Sequence, residues 1–220
     1  MYQTRTAAAI IISLVFIAIA AQAEVTDSSR TPSGVVYVSD VKLNLIPFIS
    51  CGLVVGEAAD YIEYLSNDVT DKLIYGGGMS LVYFPAPAVG LGLNIEYGLK
   101  TIPLGDETGR GWFYSTSLIG NFRTEHRTTP YARIDFGFVT GKYPDYYENI
   151  DLKLGTHPFL RFGLGMFSFL TGKLSIRTEL YYMTAFSEGY EIEGLFNREI
   201  PFNASSFGVE LGMGIPLLIR

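Results

Sequence analysis

The strongest constraint on the fold is a strict alternation of side-chain character along short segments. In residues 89–100 a large apolar side chain occupies every second position, and glycine, asparagine, glutamate or lysine lies between them. Residues two apart share one face of a β-strand, so this period predicts a strand with two dissimilar faces. The same period recurs, in strict or looser form, in residues 75–83, 112–122, 131–140, 159–168, 174–186 and 207–217.

An eighth strand is expected within residues 41–55. There the run LIPFI at residues 45–49 breaks the alternation, and its proline predicts a bulge or a bend. The connections between the strands alternate between long ones, at residues 56–72, 101–111, 141–158 and 187–206, and short ones, at 84–88, 123–130 and 170–173. This alternation predicts an up-and-down antiparallel meander with long outer loops and short periplasmic turns.

The N-terminus carries the three parts of a secretory signal. Arg5 is followed by an apolar run over residues 7–20. The small residues Ala21 and Ala23 come directly after this run and form the expected cleavage motif. This run is shorter than the roughly 20 residues that a membrane-spanning helix needs. We therefore predict a signal peptide at residues 1–23 that is cleaved before Glu24, a periplasmic segment at 24–40 and an outer-membrane barrel domain at 41–220.

Charge and cysteine content narrow the expected partners. The chain has 16 basic and 22 acidic residues and a formal net charge of −6 at pH 7, so we expect no nucleic-acid partner. The single cysteine, Cys51, lies far from the predicted cleavage site and has no second cysteine to pair with. We expect it to be a small buried residue.

Two barrel architectures remain: a soluble barrel with its apolar face inward and a membrane barrel with that face outward. The polar face favours the membrane barrel, because it carries glycines and few charges instead of the dense polar side chains of a water-exposed sheet. Aromatic residues near the strand ends are interpreted as two interfacial girdles, although the core of a soluble sandwich is the alternative. They are Trp112, Tyr114, Phe138, Tyr182, Phe186 and Phe207 toward the long loops, and Tyr83 and Phe122 toward the short turns.

The polar face also carries a set of charged residues that is expected to point into the lumen. An eight-stranded barrel has an interior that side chains just fill, so charges there must pair with one another. Three arginines and four acids then form a neutralising network that closes the lumen to ions. The seven residues are Glu96, Arg133, Asp135, Arg161, Arg177, Glu179 and Glu210.

On these patterns the chain resembles the family of small outer-membrane β-barrels typified by the membrane domain of outer membrane protein A and by outer membrane protein X. The resemblance covers about residues 41–220, and its best local piece is the closing strand FGVELGMGIPL at residues 207–217. The chain then ends in Leu218, Ile219 and Arg220 and not in the usual terminal aromatic residue. The resemblance implies an all-β, eight-stranded antiparallel up-and-down transmembrane β-barrel that barrel assembly machinery inserts.

No catalytic, phosphate-binding or zinc-binding motif is present, so we expect no enzyme and no cofactor or metal. The leading hypothesis is a structural or interaction role in adhesion, envelope integrity or surface contact. Its partners are outer-membrane lipid and an extracellular partner that binds acidic, tyrosine-rich outer loops at residues 60–64, 145–148 and 190–193.

Two alternatives stay open. His157 ends one long loop and Ser205 and Ser206 end another, with acidic residues nearby. Because a serine, a histidine and an acid form the usual catalytic triad, this group suggests a lipid-modifying enzyme that transfers or removes acyl chains. A small-solute channel is the other alternative.

Overall fold

The computed structural model describes residues 37–56, 59, 72–100, 109–147, 150–171, 173–187, 190–192, 196–198 and 202–219. The predicted signal peptide and its cleavage site lie outside these residues. After a 3-10 turn at Val38–Asp40, the chain forms ten strands. They are β1 (Val41–Val55), β2 (Leu73–Ala86), β3 (Val89–Lys100), β4 (Arg110–Asn121), β5 (Thr128–Tyr147), β6 (Ile150–Thr171), β7 (Leu174–Ser187), β8 (Tyr190–Ile192), β9 (Phe196–Arg198) and β10 (Phe202–Ile219). Among the described residues, no helix is both long enough and apolar enough to cross a membrane.

Eight of these strands close into a barrel. From β1 to β7 each strand pairs antiparallel with the next, β7 pairs with β10, and β10 pairs with β1. The prediction of an eight-stranded antiparallel up-and-down barrel is therefore confirmed. Closure gives every barrel strand two neighbours, which removes the free edges that an open sheet would expose.

The long connection at residues 141–158 is not the loop that the sequence predicted. β5 continues to Tyr147 and β6 begins at Ile150, so the two strands form a long hairpin. The connection at residues 187–206 likewise contains β8, β9 and the start of β10, and β8 pairs with β6. A hairpin beyond the membrane has no lipid-facing side, so its residues need not alternate and the period that revealed the other strands is missing.

The first strand corrects a second expectation. Residues 44–55 keep one register with β10, and the irregularity lies at Leu43 instead of at Pro47. Ile46 and Phe48 are buried inside the barrel, whereas Pro47 and Ile49 are exposed on its outer surface. The strand therefore alternates in space, and the pattern is hidden only because its inward side chains here, Ile46 and Phe48, are apolar like the outward ones.

The outer surface of the barrel is apolar. Leu164 is 67% exposed, Leu93 is 61% exposed, and all eight residues of the two predicted aromatic girdles lie exposed on this surface. A soluble protein would not leave so continuous an apolar belt in water, whereas a membrane barrel requires one. This arrangement excludes the soluble barrel and the soluble sandwich. Cys51 was expected to be buried, but it is partly exposed and free.

Glycines on the inner face make room for large side chains. A Cβ atom built on Gly163 would lie 2.5 Å from the Glu179 carboxyl carbon, and one on Gly165 would lie 2.6 Å from the Tyr131 hydroxyl. Gly52 and Gly208 make room for Tyr181 in the same way. At these four positions the bulk of a lumen side chain explains the glycine and compensates for its weak strand propensity.

Gly208→Ala is expected to lower the free energy of unfolding in lipid vesicles by about 1–3 kcal/mol. The new methyl group would clash with the backbone oxygen of Cys51 on the neighbouring strand and would lie 2.6 Å from both Cζ and the hydroxyl oxygen of Tyr181, so the strand or the ring must move. Gly120→Ala is the matched control, because a Cβ atom there meets no atom within 4 Å. Urea titration of both variants tests this explanation, and equal stabilities for the two would refute it.

Candidate functional site: the charged lumen

The structure places all seven sequence-predicted residues inside the barrel. Each comes from an inward position of its strand, and each is buried. Arg133 and Arg177 are among the largest fully buried side chains of the described chain. The seven residues lie on five strands, namely β3 (Glu96), β5 (Arg133, Asp135), β6 (Arg161), β7 (Arg177, Glu179) and β10 (Glu210).

Arg133 is one centre of this network. Its Nε donates to Asp135 Oδ1 at 2.6 Å, and its Nη2 pairs with the second oxygen of the same carboxylate. Its Nη1 lies 3.2 Å from Glu179 Oε2 and 3.5 Å from Glu210 Oε1. The two-point contact with Asp135 fixes the plane of the guanidinium group, so Arg133 is held while it links β5 to β7 and β10.

Glu210 is the other centre, because it is the only one of the four acids that contacts all three arginines. Its Oε1 pairs with Arg177 as well as with Arg133, and its Oε2 lies 3.3 Å from Arg161 Nη1. Arg161 Nη1 also lies 3.2 Å from Glu96 Oε2, and its guanidinium carbon lies 3.9 Å from the centre of the Tyr181 ring. A single carboxylate therefore joins three buried cations.

The network is completed by neutral polar residues that were not predicted from the sequence. Tyr131 donates to Glu179 Oε2 at 2.7 Å, and Arg177 Nη1 donates to Ser80 Oγ at 3.2 Å. The Ser50 hydroxyl donates to Glu96. All three lie at inward positions of their strands, and this shared face is the signal that would have identified them.

Apolar layers lie above and below the charges. At the short-turn end, nine buried residues form one cluster: Val38, Val41, Ile46, Val82, Phe84, Ile119, Tyr131, Phe167 and Phe169. At the long-loop end, Phe113 packs edge-on against Phe159 with ring centres 5.7 Å apart, and Val54 and Ala185 are buried at the same ends of their strands. Because the charges lie between two apolar layers, they interact with one another and not with bulk water.

We expect the purified barrel to show no stable unit conductance in planar bilayers. The arginines and acids fill the interior and pair, and both apolar layers oppose a continuous column of water. Arg177→Ala is expected to give small, flickering currents, because it removes one cation between Ser80 and Glu210. Steady channels from the unmodified protein would contradict a closed lumen and would favour transport.

Of the residues of the enzyme alternative, the structure describes His157, Ser205 and Ser206, and His157 and Ser206 are not hydrogen-bonded to each other. The buried His157 Nε2 and the Ser206 hydroxyl each have no hydrogen-bond partner among the described residues. Ser205 instead donates to Thr184 at 3.2 Å. Within the described residues, no group of three histidine, cysteine, aspartate or glutamate side chains is placed to hold a metal ion.

Comparison with known proteins supports the same architecture. No protein-family profile matches the sequence, and no curated protein matches it. The fold is similar to that of Neisserial surface protein A (NspA), with a TM-score of 0.57 and 11% identity over 80% of this chain and 97% of that chain. It is also similar to that of Ail, the attachment invasion locus protein of Yersinia pestis, with a TM-score of 0.50 and 12% identity over 80% of this chain and 98% of that chain. The chain therefore has the fold of the small eight-stranded outer-membrane β-barrels.

Proposed function

We propose that this chain is a structural and interaction protein of the bacterial outer membrane that acts through its outer face in adhesion, envelope integrity or surface contact. Its interior is filled by paired charges and apolar side chains, which argues against a role in transport. Export with cleavage before Glu24 and insertion by barrel assembly machinery belong to the same proposal.

The observation that carries this proposal is a sheet that continues past the barrel at its long-loop end. β5 and β6, with 20 and 22 residues, are much longer than the 12 residues of β3 or β4. β8 pairs with β6 in this extension, and β9 pairs with β8. Two of the three acidic, tyrosine-rich segments fall here, since residues 145–147 end β5 and residues 190–192 form β8. The third segment lies outside the described residues.

A partner would contact the two described segments at the same time, because both lie in this extension of the sheet. Tyrosine offers a rigid contact surface with one polar end, which suits recognition of another molecule. The fold of Ail, which is named as an attachment invasion locus protein, is consistent with an adhesive role for a barrel of this size.

The proposal requires that the long-loop end of the barrel faces the outside of the cell. Protease added to intact cells is expected to cut within residues 141–158 or 56–72, because the long connections face outward. Peptide mapping by mass spectrometry identifies the sites. Cuts confined to residues 123–130 would show that the short turns face outward instead.

The central experiment compares a deletion strain with strains that carry the full chain or a chain with a shortened β5–β6 hairpin. Lys142 pairs with Lys153, so an Asn-Gly turn in place of residues 143–152 closes the hairpin in register. We expect adherence to cultured cells to fall in both the deletion and the shortened strain. Detergent resistance is expected to fall only in the deletion strain, because the barrel itself remains in the other.

Lipid analysis of the same strains separates the proposal from the enzyme alternative. An interaction protein leaves the acyl patterns of lipid A and phospholipids unchanged when it is deleted. A changed acyl pattern, with adherence and detergent resistance unaffected, would replace the proposal by a lipid-modifying activity.

A further inference from the structure

The charges of the lumen do not balance. Four of the seven residues are acids and three are arginines, so the set carries one net negative charge if every side chain is ionised. Among the described inward positions of the strands, no other acidic or basic residue lies between the two apolar layers. A buried charge without a partner is costly, so the lumen must also hold one cation or one proton. Because no described group of side chains is placed to hold a metal ion, a proton is favoured.

Two of the acids face each other across neighbouring strands. Glu179 of β7 and Glu210 of β10 are directly opposite in register, and both point inward. They share one donor, because Arg133 Nη1 lies 3.2 Å from Glu179 Oε2 and 3.5 Å from Glu210 Oε1. Like charges at opposite positions of two strands repel each other, and two carboxylates that share a site resist ionising together. We therefore expect the extra proton on one of these two acids.

Three of the four acids are matched by cations. Glu210 contacts all three arginines, and both oxygens of Asp135 accept from Arg133. Glu96 pairs with Arg161 at 3.2 Å, and its side chain is the most exposed of the four acids. These three acids balance the three arginines, so the fourth acid is the one left over.

The surroundings of that fourth acid, Glu179, suit a neutral carboxyl group. Its shortest hydrogen bond comes from a neutral donor, the Tyr131 hydroxyl, which lies 2.7 Å from Oε2. Its Oε1 is 3.5 Å from Arg133 Nη1, which is long for a hydrogen bond between two charged groups. A Cβ atom on Gly163 would lie 2.5 Å from the Glu179 carboxyl carbon, so the backbone of β6 packs directly against this group.

The charged and titratable groups around Glu179 come from five strands. Both tyrosines among them are neutral at neutral pH, so the whole group is neutral only when one acid is protonated. The neighbours are Glu96 of β3, Tyr131, Arg133 and Asp135 of β5, Arg161 of β6, Arg177 and Tyr181 of β7, and Glu210 of β10.

We propose that Glu179 carries a proton in the folded barrel at neutral pH, and that this proton makes the stability of the barrel depend on pH. The proton lies on Oε1, while Oε2 accepts from Tyr131. Its release would leave one unpaired negative charge between two apolar layers. Glu179 is therefore the group through which the surroundings act on the closed lumen, and this role does not depend on adhesion.

The sign of the pH dependence follows from proton binding. A glutamate in the unfolded chain is ionised above about pH 5, so at neutral pH the folded chain binds one proton more than the unfolded chain. The stability that this proton gives is fully present in acid and is lost as the pH rises. We expect the equilibrium constant of unfolding to increase by about tenfold per pH unit between about pH 6 and about pH 8. Urea titration in phosphatidylcholine vesicles, followed by the fluorescence of Trp112, measures this constant.

Glu179→Gln is the decisive variant, because glutamine has the size and the neutrality of the protonated acid. The unmodified chain and this variant share all histidines and both chain ends, so the ratio of their unfolding constants isolates Glu179. We expect this ratio to increase by about a hundredfold over those two pH units. Glu125→Gln, at an exposed position in a short turn, is the matched control and should keep the pH dependence of the unmodified chain.

Infrared spectroscopy detects the same proton without unfolding the barrel. A protonated carboxyl group has a carbonyl stretch that an ionised carboxylate lacks, and this band shifts in D2O. Ether-linked phosphatidylcholine has no ester carbonyl, so the band is visible in vesicles of this lipid. The folded, unmodified protein should show it at neutral pH, Glu179→Gln should lack it and Glu96→Gln should retain it.

A ratio of unfolding constants that stays the same over this pH range would overturn the proposal. It would also fail if the unmodified protein lacked the infrared band, a result that does not require any variant to fold. Loss of the band in Glu96→Gln would place the proton on the wrong acid. A stability that depends on sodium in place of tetramethylammonium, and not on pH, would show that a metal cation balances the lumen.

Discussion

Glu210→Gln is expected to lower the free energy of unfolding by about 3–5 kcal/mol, the usual cost of removing one partner from a buried ion pair. The substitution keeps the size of the side chain and removes one charge. Glu210 contacts Arg133, Arg161 and Arg177 and is only 2% exposed, so these cations lose a shared partner that water cannot replace. Urea titration in lipid vesicles, followed by Trp112 fluorescence, measures the change.

A matched control and a double variant separate charge pairing from general damage. Glu125→Gln makes the same chemical change at an exposed position in a short turn, so its effect should stay within about 0.5 kcal/mol. Removing Arg177 together with Glu210 should cost less than the two single substitutions added together, by about 0.5–3 kcal/mol. Strict additivity, or a Glu210→Gln effect no larger than that of Glu125→Gln, would show that the pairs do not stabilise the barrel.

The sequence contained enough information to predict the barrel, because lipid outside and a narrow lumen inside impose a period of two on each membrane-crossing strand. That period fails where the two environments no longer differ. Around Ile46 and Phe48 both faces of β1 are apolar, so the pattern predicted a bulge at the wrong position. Beyond residue 140 the β5–β6 hairpin has left the membrane, so the pattern predicted a loop where the structure has strands.

The seven charged lumen residues could also be chosen from the sequence, since a charge on the inward face of a membrane strand is conspicuous. Their partners could not, because which arginine meets which acid depends on the register of all eight strands. Glu210 and Arg133, for example, are far apart in sequence and meet only across the closed lumen.

Leu93→Arg is expected to destabilise the barrel in bilayers by about 2–4 kcal/mol, the cost of an arginine at the bilayer midplane. Leu93 is 61% exposed and lies on β3 midway between Val89 and Tyr97, opposite Leu81 and Thr116 on its two neighbouring strands. Its side chain therefore points to hydrocarbon, where a guanidinium group finds no partner.

Phe122→Arg is the depth control for this prediction. Phe122 is also exposed on the outer surface, but it lies at the short-turn end, where the headgroups begin. Near the interface the same charge costs about 0–1 kcal/mol, so this variant should remain close to the unmodified protein. The difference between the two variants measures the depth of Leu93 in the bilayer, because the introduced side chain is the same. Two equal losses of stability would mean that depth has no effect, and the assignment of the apolar surface to lipid would then fail.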